Sequence, residues 1–298
     1  MPNPELPPTE LPNPQSGDLD RADTVEIVRL MFRQEAESVA RLLGVALAVA
    51  QLAEEAYRSL KAGGRLIYVG AGTSGRLGVL DAVECVPTFR CDPSMVVGVI
   101  AGGPQALRKA VEGAEDNRSA GREAIVRLGV GERDTVVGIA ACGHTPYVLA
   151  ALEEAAARQA RTGLISAGLP PNPPPLTVHI PLPAGPEILA GSTRLKAGTA
   201  TKIILNAVST SAMVRLGKVY KNLMVDLRPT NEKLRRRAVR LVKELAEVGE
   251  KQALRALKQA DWEVKTAVLM LRRSLSVPQA RKLLAASEGH LGRALAEA

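Results

Sequence analysis

A glycine-rich stretch carrying two hydroxyl side chains, Gly70–Gly75, directly follows a short apolar run at Leu66–Val69. The apolar run is typical of a buried strand, and the apolar residues after the glycines recur at the spacing of a helix. Glycines let the backbone approach a ligand closely, and a helix N-terminus offers unpaired N–H groups and the positive end of its dipole. The stretch therefore predicts an anion site in which Gly72, Thr73 and Ser74 contact a phosphate group.

The same glycines have the G-x-G-x-x-G spacing of dinucleotide-binding turns. That chemistry needs an acidic residue after the second strand to bind the ribose hydroxyls. The next strand-like run, Met95–Ile100, is followed by uncharged residues at 101–104. The sequence therefore favours a phosphate monoester over a dinucleotide, and the other alternative is a tight turn that binds nothing.

Polar residues follow each of the predicted strands, either directly or after a helix. In an open parallel sheet, ligands bind beyond the carboxyl ends of the strands, so these residues are the candidates for a site. Lys196 either neutralises a phosphate or pairs with a surface acid. With the glycine turn, the candidates describe a sugar-phosphate site with acid/base groups, without naming a reaction. They are Glu84, Glu115, Thr145, Ser192, Thr193 and Lys196.

Strand and helix patterns alternate through the middle of the chain, which predicts a doubly wound α/β fold with a parallel sheet covered by helices on both faces. One helix is expected directly after the glycine turn. The other helices are expected at Ala46–Lys61, Pro104–Ala114, Ser119–Leu128, Tyr147–Gln159 and from Ser192–Lys196 to Leu216. The strands are expected at Leu66–Val69, Met95–Ile100, Thr135–Ala140, Gly163–Ser166 and Val178–Leu182.

The two ends of the chain differ from this middle part. Residues 1 to about 20 are rich in proline and predict an arm with little structure. Asp23 with Glu26, and Ser276 with Gln279, have the spacing of helix starts, and residues after about 230 show only helical periodicity. We expect an N-terminal arm and helices at 1–55, an α/β domain at 56–222 and a small helical domain at 226–298.

Composition limits the function classes. The 298 residues carry a formal net charge of +8, but the basic residues are scattered and only two Phe and one Trp are present, which disfavours nucleic-acid binding. The three cysteines lack metal-ligand spacing, so neither zinc nor a disulfide framework is expected. We expect no membrane-spanning run and no signal segment, and therefore a cytoplasmic protein.

Five runs of sequence resemble the N-acetylmuramic acid 6-phosphate etherases, and the resemblance covers nearly the whole chain. That family has a sugar-isomerase (SIS) α/β domain followed by a helical tail, and the resemblance implies a homodimer that works without metal or cofactor. The glucokinase regulatory protein is similar to the family and binds sugar phosphates without the etherase chemistry. The runs are GRLIYVGAGTSGRLGVLDAVECVPTF, IAGGPQALRKAVEGAEDN, GHTPYVLAALE, GPEILAGSTRLKAGTATKIILNAVST and LGKVYKNLMVDLRPTNEKL.

The resemblance implies cleavage of the lactyl ether of N-acetylmuramic acid 6-phosphate. An aldehyde at C1 of the opened sugar acidifies the hydrogen on C2, a base removes it, lactate leaves C3 with help from an acid, and water adds. The family's pair falls on Glu84 as the acid and Glu115 as the base, and the two roles are open to exchange. The alternatives are a non-catalytic sugar-phosphate-binding regulatory protein and an aldose–ketose phosphate isomerase.

The resemblance also assigns binding residues. Ser74 and Thr145, joined by Thr73, are expected to contact the phosphate, and Ser192 and Thr193 to line the sugar.

Several residues depart from the family pattern. Cys142 and His144 stand where Ser and Arg are usual, and Arg90 stands where Gly is usual. The first two changes bear on phosphate binding and on the identity of the substrate.

Overall fold

The computed structural model describes residues 7–227, 229 and 231–296. These residues fall into two compact units, each with its own internal contacts. The first comprises the residues up to Val83 together with Pro93–Ser209, and the second comprises Glu84–Asp92 together with the residues from Thr210 onward. The division expected from the sequence, at 1–55, 56–222 and 226–298, stays a prediction.

Five strands and 11 α-helices make up the described part of the chain. The strands are β1 Leu66–Gly70, β2 Val96–Ile100, β3 Thr135–Ile139, β4 Arg161–Ser166 and β5 Val178–Pro181. The first six helices are α1 Thr24–Arg41, α2 Ala46–Lys61, α3 Gly72–Phe89, α4 Arg118–Arg127, α5 Pro146–Ala157 and α6 Lys196–Arg215. The remaining helices are α7 Glu232–Ala246, α8 Glu250–Gln259, α9 Val264–Arg273, α10 Val277–Ala286 and α11 Leu291–Ala296.

The five strands form one sheet in the order β2-β1-β3-β4-β5, and every neighbouring pair is parallel. Gly70 at the end of β1 pairs with Ile100 of β2 and with Ile139 of β3. The carboxyl ends of these three strands therefore meet at one edge, as the sequence predicts.

Helices cover both faces of the sheet. A Cβ added to Gly138 of β3 would lie 2.7 Å from the side chain of Leu152 in α5. Gly138 pairs with Leu164 of β4, so the neighbouring Gly163 faces the opposite side of the sheet. There, an added Cβ on Gly163 would lie 2.8 Å from Leu52 of α2. The predicted doubly wound α/β fold is confirmed.

A buried carboxylate joins β1, α3 and α6. Asp81 of α3 accepts hydrogen bonds from the hydroxyl of Tyr68 at 3.0 Å and from the amide of Asn206 at 2.7 Å. The hydroxyl of Ser209 donates to the same carboxylate at 3.1 Å. Because α6 is bonded to α3 in this way, the two helices lie side by side.

One predicted helix is wrong. The segment Pro104–Ala114 forms only a 3-10 turn at Pro104–Leu107, after which the chain turns toward a second 3-10 turn at Ala114–Asp116. Val111 packs on Gly102, where an added Cβ would lie 2.9 Å from the Cβ of Val111. This tertiary contact outweighs the helical propensity of the segment.

The expected structureless arm is also partly wrong. Within the described residues from 7 to 20, 3-10 turns form at Pro8–Glu10 and Pro14–Ser16. Thr9 and Asn13 are buried. The Asn13 amide donates to Gln34 of α1 at 2.7 Å and to the carbonyl of Pro186 at 3.1 Å. The arm is therefore held by hydrogen bonds to the α/β unit.

Both predicted helix starts are confirmed. The side chain of Asp23 accepts from the backbone N–H of Glu26, and the Glu26 carboxylate accepts from the backbone N–H of Asp23. The backbone N–H of Ser276 donates to the side chain of Gln279 at 2.9 Å. In the second unit, helices α7–α11 enclose an apolar core, which confirms the small C-terminal helical domain.

The stretch Thr24–Lys61 contains an 18-residue window of mean hydropathy 1.4, of which only 17% is buried. By length and composition alone it is apolar enough to cross a membrane, but a single such helix is weak evidence for a span, and the expectation of no membrane-spanning run stays a prediction. A polar residue of the same stretch, Gln34, is buried and bonded to Asn13.

Candidate functional site

Two glycines of the turn between β1 and α3, Gly70 and Gly75, lie where a side chain has no room. A Cβ on Gly75 would lie 2.7 Å from the carbonyl oxygen of Gly70 and 2.6 Å from the Ile100 side chain. Gly72, where α3 begins, has φ +51°. The N–H groups of the first helical turn have no acceptor within the helix, so this turn presents donors beyond the carboxyl end of β1.

The starts of α3 and α6 lie close together. A Cβ added to Gly198 of α6 would be 3.5 Å from the carbonyl oxygen of Thr193 and 3.7 Å from the methyl group of Thr73. Thr73, Ser74, Ser192 and Thr193 are all half-buried. The structure thus brings the predicted hydroxyl residues Thr73 and Thr193 to the same place.

Thr145 lies at the N-cap of α5 and makes no capping hydrogen bond with its side chain. It follows β3, which pairs directly with β1, so it stands at the same sheet edge as the glycine turn. In the preceding loop, the exposed His144 has its Nδ1 3.0 Å from the carbonyl oxygen of Cys142. Gly143 has φ +87° and presses against the carbonyl of Gly168.

Glu115 shares a cavity with the glycine turn. It lies in the 3-10 turn that follows Gly113, whose φ is +70°. The cavity, about 210 Å³, is lined by Glu115, Gly72 and Arg76 together with residues of the 101–114 segment. Nε of Arg76 donates to the carbonyl of Leu107 at 3.4 Å, which ties this segment to α3. A predicted acid/base residue therefore lies beside the predicted phosphate turn.

Glu84 is exposed in the later part of α3 and belongs to the second compact unit. Glu115 is exposed as well and belongs to the first. The expected meeting of these two carboxylates stays a prediction.

Lys196 is buried, and its ammonium is bonded to protein groups other than a surface acid. Its Nζ donates to the Gln34 side chain at 3.0 Å and to the carbonyl of Pro186 at 2.6 Å. Burial lowers the pKa of Lys196, and the nearby carboxylate of Glu187 opposes that shift. The ammonium is already bonded to protein groups, and its role toward a ligand stays a prediction.

Glu187 was missed by the sequence reasoning. It is fully buried, and its carboxylate accepts from the backbone N–H groups of Lys196 at 3.0 Å and Ala197 at 2.9 Å. Burial raises the pKa of Glu187, and these two N–H groups work against the shift. No spacing signal marks this acid, since it lies nine residues before the helix that it caps.

Among residues 7–227, 229 and 231–296, no group of three or more His, Cys, Asp or Glu side chains is placed to hold a metal ion.

Comparisons with known protein families identify the class of the α/β unit. Residues 48–156 match the N-terminal SIS domain of glucokinase regulatory protein, and residues 221–265 match the C-terminal lid domain of that protein. The α/β unit is therefore of the SIS type.

Full-length relatives define the family. The N-acetylmuramic acid 6-phosphate etherase of Salmonella agona is 49% identical over 96% of this chain and 97% of its own length. The protein of the same name from Salmonella typhi is 50% identical over the same shares. A solved phosphoheptose isomerase from Francisella tularensis aligns with 64% of this chain and 98% of its own, at 15% identity and a TM-score of 0.48. The chain belongs to the N-acetylmuramic acid 6-phosphate etherase family.

Proposed function

We propose that this protein is an enzyme that cleaves the D-lactyl ether of N-acetylmuramic acid 6-phosphate, giving N-acetylglucosamine 6-phosphate and D-lactate. The observation that carries the proposal is the 49% identity to etherases over 96% of the chain. It is supported by the glycine turn, which suits a phosphate monoester, and by the carboxylate of Glu115 in the adjoining cavity. The reaction belongs to amino-sugar catabolism and cell-wall recycling.

The chemistry needs an anchor and two acid/base groups. The first turn of α3, with Thr73 and Ser74, and Thr145 at the start of α5 hold the phosphate. Glu115 removes the proton from C2 of the opened sugar, and Glu84 protonates the lactate that leaves C3. Water then adds to the unsaturated intermediate. Each carboxylate contributes roughly 10²- to 10⁴-fold as a general acid or base.

Incubation with N-acetylmuramic acid 6-phosphate and an assay for D-lactate test the proposal. The expected result is equal amounts of D-lactate and N-acetylglucosamine 6-phosphate. Sugar-phosphate binding without any turnover would instead support the regulatory protein on the same fold. Conversion of an aldose phosphate to a ketose phosphate, without lactate, would support the isomerase.

We also propose a cytoplasmic homodimer that associates through an apolar stripe on the α1–α2 stretch. The stripe residues recur three, four or seven positions apart, which places them along one side of a helix and suits pairing with a second copy. Their exposure is high, with Phe32 at 71%, Leu43 at 83% and Leu47 at 75%. The stripe consists of Val25, Val28, Phe32, Val39, Leu43 and Leu47.

A further inference from the structure

A second cavity, of about 450 Å³, lies entirely within the second compact unit. It shares no residue with the glycine turn or with the cavity beside Glu115. Its lining carries more positive than negative side chains, and we call it the cationic pocket. The charged lining residues are Arg90, Lys218, Lys265 and Arg281 against Asp226 and Glu263.

One side of the cationic pocket has two ammonium groups on a single carboxylate. Oδ2 of Asp226 accepts from Nζ of Lys265 at 2.8 Å and lies 3.1 Å from Nζ of Lys218. Lys265 also donates to the carbonyls of Gly217 at 3.2 Å and Gly289 at 3.0 Å. Lys265 thus has three acceptors, whereas among the described residues Lys218 has the shared carboxylate of Asp226 alone.

The other side has two guanidinium groups on a single carboxylate. Glu263 accepts from Nε of Arg281 at 2.9 Å and from the hydroxyl of Thr266 at 2.8 Å. Arg281 also binds Asp261, outside the lining, at 2.9 Å. Arg90 is 3.7 Å from Glu263, beyond hydrogen-bond distance. Within the described part of the chain, Arg90 thus keeps its donors available for a further anion.

Arg90 adopts a backbone conformation that arginine rarely takes. Its φ is +49°, in the left-handed region that glycine occupies without steric conflict. Arg90 therefore places a guanidinium in the lining of the cationic pocket from a backbone conformation that favours glycine.

We propose that the cationic pocket is a binding site for the phosphate group of a small phosphorylated molecule, contacted by Arg90, Arg281 and Lys218. Guanidinium groups present paired N–H donors that match phosphate oxygens, and such charge-assisted hydrogen bonds are stronger than neutral ones. The excess of cations over carboxylates in the lining favours a dianion. A cavity of about 450 Å³ has room for more than the phosphate group itself.

The sole tryptophan of the chain provides a local probe. Trp262 lies between Asp261 and Glu263, the two acids that hold Arg281. Titration of the full-length protein with inorganic phosphate at low ionic strength is expected to change the Trp262 fluorescence to saturation. Arg90→Gly and Arg281→Gln are each expected to weaken this binding by about tenfold or more, because each removes charged hydrogen bonds.

The control variants separate this site from the glycine turn. Arg272→Gln removes a similarly exposed arginine of the same unit that pairs with Glu247, and is expected to leave the titration unchanged. Ser74→Ala is expected to leave the Trp262 signal unchanged as well. Arg90→Gly introduces a residue that adopts φ +49° without steric conflict, so thermal unfolding is expected to show no loss of stability.

Equilibrium dialysis with radiolabelled phosphate provides a second measurement that does not depend on the fluorophore. Wild-type protein is expected to bind one more phosphate per chain than Arg90→Gly. Equal numbers of phosphates bound per chain in these two proteins would overturn the proposal. So would a phosphate-dependent change in Trp262 fluorescence that disappears in Ser74→Ala but persists in Arg90→Gly. Neither measurement uses D-lactate formation, so the result stands apart from the proposed etherase activity.

Discussion

Glu187 places its buried carboxylate against the first turn of α6, where the backbone N–H of Lys196 donates to it at 3.0 Å. The N–H of Ala197 donates to the second oxygen at 2.9 Å. An anion at a helix N-terminus is favourable because it meets unpaired donors and the positive end of the helix dipole. These two hydrogen bonds fix the beginning of α6, which lies beside Thr73.

Replacing Glu187 by Gln is expected to lower the free energy of unfolding by about 1–3 kcal/mol, because the amide nitrogen would face a buried N–H donor. Chemical unfolding at neutral pH measures the change. Glu132→Gln, at an exposed position, serves as the matched control and is expected to behave like wild type. Equal stability of Glu187→Gln and wild type would contradict the anchoring role of the carboxylate.

Gly75→Ala is expected to destabilise the protein by about 1–3 kcal/mol through overpacking. The added Cβ would meet the Gly70 carbonyl oxygen at 2.7 Å and Ile100 at 2.6 Å. Thermal unfolding and sugar-phosphate binding should both reveal the loss. Gly17→Ala, whose Cβ would meet nothing within 4 Å, is the control and is expected to be neutral.

The ion pair of Asp134 with Arg65 predicts a pH dependence. Burial, the largest influence, pushes the pKa of Asp134 upward, but hydrogen bonds from Arg65 and from the backbone N–H of Gly131 outweigh it and hold the pKa below the ordinary 3.8. The stabilisation is therefore present above pH 3.8 and is lost as pH falls through the lower pKa of the folded state.

Asp134→Asn is expected to be less stable than wild type at pH 7 by about 1–3 kcal/mol, because Arg65 loses its charged partner. The difference is expected to shrink below pH 3.8. Unfolding measured from pH 7 downward provides the test, and a difference that stays constant into strong acid would refute the linkage.

Glu115→Gln and Glu84→Gln are each expected to reduce the rate of D-lactate formation by roughly 10²- to 10⁴-fold with the fold intact. Glu112→Gln is the matched control, because Glu112 lines the same cavity as Glu115 and has no assigned role. It is expected to keep near wild-type activity. Lactate formation that persists in Glu84→Gln would remove the acid assignment.

Phe32→Lys combined with Leu43→Lys is expected to shift a homodimer toward monomer, because two charges would enter the apolar stripe. Val126→Lys, at a residue of α4 that is 47% exposed, is the control outside the stripe. Sedimentation velocity provides the measurement. A double variant that sediments like wild type would place the subunit contact elsewhere.

Features that depend on residues close together in the sequence could be predicted from it. Two examples are the reciprocal capping of α1 by Asp23 and Glu26 and the glycine turn before α3. Both depend on neighbouring residues, and both could be predicted from their spacing. The segment 104–114 could not, because the packing of Val111 on Gly102 decides its conformation.

The surroundings of Lys196 could not be predicted for the same kind of reason. Its partner Gln34 is 162 residues away in the chain, and no spacing rule brings the two together. A lysine that follows a strand in a sugar-phosphate fold suggests a ligand contact, yet its ammonium is held by protein acceptors. Likewise, no sequence spacing decides whether Glu84 and Glu115, 31 positions apart, serve one site, and their meeting stays a prediction.

Asn13 has a practical consequence for shortened versions of the protein. Its amide donates a hydrogen bond to Oε1 of Gln34. The same oxygen accepts a hydrogen bond from Nζ of Lys196. Trimming the proline-rich arm past Asn13 for crystallisation would therefore loosen the support of the buried ammonium of Lys196. A shortened protein that begins before Thr9 keeps the hydrogen bonds between Asn13, Gln34 and Lys196. A purification tag is therefore better attached ahead of Thr9.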